Sequence, residues 1–324
     1  MKKILIKTAI FFLPVAVLAY GLDILISSTL VRSNDYADGE FPVWNDLYNG
    51  KVNADIIIFG ASNALRGLDT EVIEKRTGAS TYSLAVNGLN FRIQYLRFRL
   101  LLTRNKKPKL IINAVSAATL EKTPELYNPD QFLPFLLYNK SLENVLDEYR
   151  DFKKADYNVP LIRYFGKKEA FINILKMLID PSSNRTRRIK GYMPNDQEWT
   201  SDLEKAKAVS STREFVLDTS LVALFNKYVT ECKDQNIGLV FVNMPEYIEG
   251  QSYVANREEM LAPIFRSSID NQISFFNYLK DSISCDKKYF FNTGHLNMYG
   301  AKVFTNRLID DMISAEIKEI KISD

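Results

Sequence analysis

The first apolar segment of the chain is long enough to cross a lipid bilayer. It extends from Thr8 to Val31 and is interrupted only by Asp23, a length that suits a transmembrane helix. Three lysines precede it, and the positive-inside bias keeps them in the cytoplasm. We therefore predict a single-pass protein of the cytoplasmic membrane, with residues 1–32 as its anchor and an extracytoplasmic body.

A cleaved signal peptide is the alternative for this segment. Val17-Leu18-Ala19 resembles a small-residue processing site. The apolar sequence continues beyond it as far as Val31, which favours an uncleaved anchor.

Beyond the anchor, short apolar runs alternate with segments of helical periodicity. Asp55–Gly60 is the first such run, a continuous apolar stretch that ends in glycine, as expected for a buried parallel strand that enters a tight turn. Strands that alternate with helices indicate an α/β fold, a three-layer α/β/α arrangement with a central parallel sheet. Strands are predicted at 55–60, 81–86 and 109–115 and in the apolar run 238–245, which ends at a proline. Helices are predicted after Ser62 towards Gly78 and at 93–103, 215–235, 257–279 and 299–317.

The strand pattern disappears between about residues 119 and 212, where helical, aromatic and basic segments replace it. This stretch is predicted to be a helical insertion. The domain organisation is then an anchor at 1–32 and one α/β domain at 33–324 that contains the insertion.

Composition and charge narrow the classes of function. Apolar residues make up 46% of the chain and charged residues 25%, the balance of a globular protein with a sizeable core. The net charge is only +3, with basic residues spread along the chain, so no nucleic-acid partner is expected. Cys232 and Cys285 are far apart in the sequence, which does not suggest a zinc site. The sequence implies no metal and no organic cofactor. Whether the two cysteines form a disulfide stays open.

Two segments carry candidate chemistry. Ser62 directly follows the first predicted strand, in Gly60-Ala61-Ser62-Asn63, and His295 is the only histidine of the chain. A serine there can act as a nucleophile or simply cap a helix. A lone histidine can act as its base or satisfy a structural hydrogen bond.

Together with a third block, these segments resemble the SGNH (GDSL-like) hydrolase superfamily. The resemblance is to its membrane-anchored branch, in which Gly-Ser-Ser-Arg opens the site and His-Leu-Asn-x-x-Gly-Ala closes it. The closing block here runs from His295 to Ala301, and Tyr82–Asn90 looks like the block whose glycine donates to the oxyanion hole. The resemblance implies Ser62 as nucleophile, His295 as base, and Ser62 and Gly88 as oxyanion donors.

The chain departs from the family pattern at three positions. Ser116 stands after the third strand, where many members have an asparagine donor to the oxyanion; its hydroxyl can still donate, so Ser116 is the third expected oxyanion donor. Asn63 replaces an arginine. Asn292 stands three residues before His295 in place of the usual aspartate. Asparagine cannot offset the charge of an imidazolium ion, and Asp286 is the nearest upstream carboxylate.

The resemblance implies a function in acyl transfer outside the cell. We expect a serine esterase or acyltransferase that acts on the acyl groups, and in particular the acetyl groups, of a cell-envelope polysaccharide. A membrane-bound O-acyltransferase is a candidate partner. The branch includes proteins of polysaccharide O-acetylation and teichoic-acid D-alanylation. Two alternatives stay open: a non-catalytic glycan-binding or assembly protein that lost the acid of the triad, and a lipid esterase.

Overall fold

The structure is a computed structural model. It describes residues 2–88, 91–201, 203–204, 207 and 212–320, with side chains from residue 11 onward.

Contacts divide the chain into two compact units. The first, here called the anchor unit, joins residues 1–45 to residues 124–186. The second, here called the sheet unit, joins residues 46–123 to residues 187–324.

A five-stranded parallel sheet forms the centre of the sheet unit, which confirms the predicted α/β fold. The strand order is β2-β1-β3-β4-β5, and every neighbouring pair is parallel. Chain order reverses between β1 and β3, and ligands of open α/β sheets bind at such a point, beyond the carboxyl ends of the strands. The strands are β1 Ile56–Phe59, β2 Thr81–Ser83, β3 Leu110–Val115, β4 Gly238–Asn243, β5 Ser274–Asn277, and the separate antiparallel pair β6 Phe290–Asn292 and β7 His295–Leu296.

Burial on both faces explains the apolar character of the central strands. All side chains of β1 and β3 are buried. Ile58 belongs to the core cluster that includes Phe304 and Leu308, whereas Phe59 packs against Phe98 and Tyr228. A strand that is covered on both faces has a continuous apolar sequence, and this pattern allows β1 and β3 to be predicted.

Helices of the sheet unit pack in two groups. The helices Ser62–Gly67 and Thr70–Thr77 both contact the helix Met298–Ser314, while the helix Thr219–Asp234 contacts both Phe91–Arg104 and Arg257–Asp270. The helices along the chain are α1 Lys2–Leu30, α2 Tyr36–Gly39, α3 Phe41–Tyr48, α4 Ser62–Gly67, α5 Thr70–Thr77, α6 Phe91–Arg104, α7 Lys140–Leu146, α8 Lys168–Ile179, α9 Thr219–Asp234, α10 Ile248–Gln251, α11 Arg257–Asp270 and α12 Met298–Ser314.

Two local predictions are corrected. The helix expected after Ser62 is two helices, because Asp69 caps a new helix by accepting from the backbone N–H groups of Glu71 and Val72. The helix expected over 257–279 ends at Asp270, and β5 follows it. The four residues of β5 are too short to show a period, and pairing with β4 decides their conformation.

The anchor unit contains α1, α7 and α8. Among the described residues, Phe11–Leu30 of α1 is the segment long and apolar enough to cross a membrane, with a mean hydropathy of 1.9. Its apolar side chains are mostly exposed from Phe11 to Leu25.

Both cysteines lie in the sheet unit as free thiols. Cys232 is buried in α9 and Cys285 is exposed. The disulfide that the sequence left open is not formed.

Candidate active site

A glycine turn places Ser62 at the carboxyl end of β1. Gly60 follows the strand with a φ of +150°, and a Cβ atom there would lie 2.6 Å from the Cβ atom of Ala64 and 2.9 Å from that of Ala114. A side chain at position 60 would therefore collide with α4 and with β3. The chain turns here without one, and Ser62 begins α4.

A two-residue hairpin places His295 opposite Asn292. These residues pair across the antiparallel strands β6 and β7, with Thr293 and Gly294 between them. The N–H of Gly294 donates to Asn292 Oδ1 over 3.1 Å. The separation of three residues in the sequence is thus the spacing that puts two side chains face to face across a tight turn.

The structure brings Ser62, His295 and Asn292 into one hydrogen-bonded line. His295 Nε2 lies 2.7 Å from Ser62 Oγ, and His295 Nδ1 lies 2.8 Å from Asn292 Oδ1. Because the Gly294 N–H also points at that Asn292 atom, the atom must be the amide oxygen, which only accepts. Nδ1 therefore carries the hydrogen, and Nε2 accepts the hydrogen bond from the hydroxyl of Ser62. This is the arrangement of a serine–histidine–acid triad with a neutral third member.

Asp286 does not take the place of the missing carboxylate. Its side chain accepts from the backbone N–H of Lys288 and forms an ion pair with the Lys288 ammonium at 2.8 Å. It caps the 3₁₀ turn Lys287–Tyr289. Asn292 is therefore the residue that orients the imidazole.

The imidazole of His295 is held in its neutral form. Burial lowers the pKa of His295 to about 4, and the positive charge of Arg66 lowers it further. No carboxylate opposes these two effects, since the third member is an amide. At neutral pH the ring is therefore available to accept a proton.

Two residues that the sequence analysis missed pack around the imidazole. The ring of Phe291 stacks on that of His295, with centroids 5.3 Å apart and planes 18° apart, and the guanidinium of Arg66 lies 5.6 Å from the Phe291 centroid. Arg66 is four residues beyond Ser62 on α4, the spacing of neighbours on one helix face. That spacing was the signal in the sequence that could have identified Arg66.

Ser116, one of the predicted oxyanion donors, directly follows β3. The backbone N–H of Ser116 donates to Thr119 Oγ1, and its hydroxyl oxygen accepts from Ala118 N–H over 3.3 Å. The hydroxyl hydrogen is therefore the donor of Ser116 that is left for a ligand. Ser116 lines the same cavity as Ser62 and His295.

Gly88 lies in the loop after β2, at a φ of +98° that favours glycine. That loop is hydrogen-bonded to the turn before Ser62, because the Val86 N–H donates to the Gly60 carbonyl over 3.0 Å. Gly88 is not among the cavity-lining residues within the described part of the chain. Leu89 and Asn90, the end of the same sequence block, lie outside the described residues.

The cavity at Ser62 has a volume of about 240 Å³. Small side chains line it near the serine, and Phe215 and Val254 add apolar surface. Asn63 also lines it.

A second unforeseen feature is an ion pair on the cavity wall. Arg257 donates to both carboxylate oxygens of Glu246, at 3.1 and 2.7 Å, and both side chains are largely buried. The buried Nε–H of Arg257 has no hydrogen-bond partner among the described residues. Glu246 follows β4 at the carboxyl edge of the sheet. Its position in the sequence, after a buried strand and a proline, could have identified it as a candidate site residue.

Comparisons with known proteins add little to this site. No family model and no curated protein matches the chain. Solved structures do match it, among them a candidate acylhydrolase from Bacteroides fragilis NCTC 9343, at 10% identity and a TM-score of 0.37, covering 87% of this chain and 98% of the other. A likeness at that level leaves the assignment of chemistry to the site itself. The fold and the site define an α/β protein with a Ser–His–Asn triad.

Proposed function

We propose that this chain is an extracytoplasmic serine esterase or acyltransferase that works through an acyl-Ser62 intermediate. The observation that carries the proposal is the hydrogen-bonded line from Ser62 Oγ through both nitrogens of His295 to Asn292 Oδ1. A hydroxyl next to an oriented, neutral imidazole is an activated nucleophile.

In the first half of the reaction Ser62 Oγ attacks the carbonyl carbon of an acyl ester. His295 Nε2 takes the hydroxyl proton, and the carbonyl π electrons move onto oxygen, where the Ser62 and Gly88 N–H groups and the Ser116 hydroxyl donate to it. The tetrahedral intermediate then breaks its bond to the leaving alkoxide, which receives the proton from His295 and departs as an alcohol. The acyl group remains on Ser62.

In the second half a water molecule or a sugar hydroxyl is the acceptor. His295 Nε2 takes its proton as its oxygen attacks the acyl carbon. The bond to Ser62 Oγ breaks, and His295 returns the proton to that oxygen. With water as the acceptor the product is a free acid, and with a sugar hydroxyl it is a new ester. The same residues therefore serve both hydrolysis and transfer.

Asn292 makes this a slow form of the triad. The amide oxygen fixes the tautomer and the orientation of His295 but carries no charge to stabilise the imidazolium ion. General bases are most effective when their pKa lies near the working pH, and the pKa of His295 lies at about 4. Low turnover is expected from a site that is otherwise complete.

The substrate class follows from the cavity and from the resemblance to the anchored SGNH branch. A volume of about 240 Å³ is below the usual range of ligand pockets, roughly 300–1,000 Å³, and suits a small acyl group such as acetyl. The carboxylate of Glu246 and the donors of Arg257 offer partners for sugar hydroxyls at the rim. We propose acylated cell-envelope polysaccharide as the substrate, with a membrane-bound O-acyltransferase as the candidate partner.

Asn292 itself favours a second candidate function, a glycan-binding or assembly protein without turnover. A direct test uses the full-length chain in detergent with p-nitrophenyl esters of increasing chain length and with an O-acetylated polysaccharide. We expect acetate release from both classes of acetyl ester, a fall in turnover as the acyl chain lengthens, and loss of turnover in Ser62→Ala and in His295→Ala.

Other outcomes separate the alternatives. Turnover that increases with acyl length would identify a lipid esterase. Binding of the polysaccharide by a folded protein that turns over none of the esters would identify the non-catalytic function.

A further inference from the structure

Helix α8 of the anchor unit exposes one continuous apolar face. Five large apolar side chains along it are between 42% and 82% exposed. Their spacing places them on one side of a helix with 3.6 residues per turn. They are Phe171, Ile172, Leu175, Leu178 and Ile179.

The opposite side of α8 is the side that packs against the protein. Ala170 is buried, and Asn173, Ile174 and Met177 are partly buried. The exposed apolar face therefore extends along the outer side of a helix of 12 residues, where the charged side chains of Lys168, Glu169 and Lys176 are exposed as well. Contiguous exposed apolar surface of this kind marks a site of interaction.

The neighbouring residues extend this surface. Phe165 is 89% exposed and Ile162 is 44% exposed, both in the segment that leads into α8. Lys168 and Lys176 are exposed on α8. Lysines beside an apolar face are typical of helices that lie in a membrane interface, because their ammonium groups reach the lipid head groups.

The surface is continuous with the helix that is long enough to span a bilayer. Within the anchor unit α8 packs against α1. On α1, Asp23 and Ser27 are buried against the unit, whereas Ile24 and Leu25 between them are 54% and 60% exposed. One side of α1 is thus held by protein, and the other side presents apolar surface as α8 does.

We propose that α8 lies in the interfacial layer of the same bilayer that α1 enters. Its outer face, together with Phe165 and Ile162, contacts the acyl chains just below the head groups. The anchor unit then contacts the membrane through two helices, α1 and α8. Lipid, not a protein partner, is the occupant because the apolar face adjoins a membrane-spanning helix and is flanked by lysines.

Fluorescence of a label that responds to polarity tests this in the full-length chain, reconstituted in vesicles of zwitterionic and anionic phospholipid. Cys285→Ser removes the exposed thiol, and the buried Cys232 stays. Single cysteines for labelling are introduced as Leu175→Cys on the apolar face, Glu169→Cys on the polar edge of the same helix, and Val17→Cys in the anchor.

We expect the label at position 175 to shift to the blue and to be quenched by lipids brominated near the head groups. The label at position 169 is expected to be quenched by aqueous iodide instead, and the label at position 17 by lipids brominated deep in the chain. Iodide quenching at position 175 equal to that at position 169 would overturn the proposal while leaving the anchor intact. Iodide access at position 17 would overturn both.

Discussion

The amide oxygen of Asn292 lies 2.8 Å from Nδ1 of His295 and accepts its hydrogen. In a serine-protease triad, exchanging aspartate for asparagine lowers turnover by about 10⁴, because the histidine adopts the wrong tautomer. Here the Gly294 N–H fixes the amide with its oxygen towards the ring. The hydrogen bond from Gly294 therefore fixes the tautomer of His295, and the site lacks only the negative charge of a carboxylate.

Restoring the carboxylate should change the pH dependence of the reaction. In Asn292→Asp, a negative charge beside Nδ1 favours the imidazolium ion and raises the pKa of His295 from about 4. Since the protonated ring cannot act as a base, the acid limb of kcat/KM should move to higher pH, by at least about one unit. The pH profile with p-nitrophenyl acetate measures this, and an unmoved acid limb would show that Asn292 does not face the working imidazole.

Arg66 should lower the pKa of His295 through its charge. Arg66→Gln removes that charge, so the pKa of His295 and the acid limb of the profile should both rise, by less than in Asn292→Asp. The matched control is Arg76→Gln, on α5, where the arginine is partly exposed and pairs with Asp310. Equal shifts in the two variants would contradict a specific effect of Arg66.

The cavity pair Glu246–Arg257 should stabilise the fold and hold the substrate. Arg257→Met leaves the Glu246 carboxylate buried without its partner, which costs about 3 kcal/mol of unfolding free energy. Glu246→Gln combined with Arg257→Met should recover much of that stability. The KM of the double variant for an acetylated glycan should stay above that of the wild type. Thermal unfolding and steady-state kinetics measure the two effects, and a double variant as unstable as Arg257→Met would argue against a direct pair.

The anchor unit should depend on a fully buried ion pair with α1. Asp23 accepts two hydrogen bonds from Arg163, at 2.7 and 2.6 Å, and neither side chain is exposed. Arg163→Met should lower the thermal stability of the full-length chain in detergent, by about 3 kcal/mol or more, because it strands the Asp23 carboxylate.

Asp23→Leu combined with Arg163→Met is the matched control, and it should regain stability. Asp23 also accepts from the hydroxyl of Tyr138 at 2.6 Å, so the recovery should be incomplete. A transition identical in all three proteins would mean that the end of α1 is not part of the folded unit.

The parts of the fold that the sequence predicted were those with strong local signals. Ile56–Phe59 is buried on both faces and therefore reads as a strand without ambiguity. Ser274–Asn277 is short and only partly buried, and its strand conformation depends on pairing with β4, which no local pattern encodes.

In the site too, residues with a local sequence signal could be predicted, and residues that depend on tertiary contacts could not. Ser62 and His295 were found because one follows a strand and the other is the only histidine. Phe291, Arg66 and the Glu246–Arg257 pair were missed, because their roles arise only when separate loops meet at the edge of the sheet. The amide orientation of Asn292 also needed coordinates, since it rests on the N–H of Gly294.

The most direct test of the account is whether Ser62 forms a covalent adduct. The full-length chain would be treated with a fluorophosphonate probe and digested, and the labelled peptide would be located by mass spectrometry. Ser62→Ala and His295→Ala would be treated in the same way. We predict a single adduct on Ser62, strongly reduced labelling in His295→Ala, and a folded but unlabelled Ser62→Ala. A well-folded wild type that is not labelled on Ser62 would contradict the account.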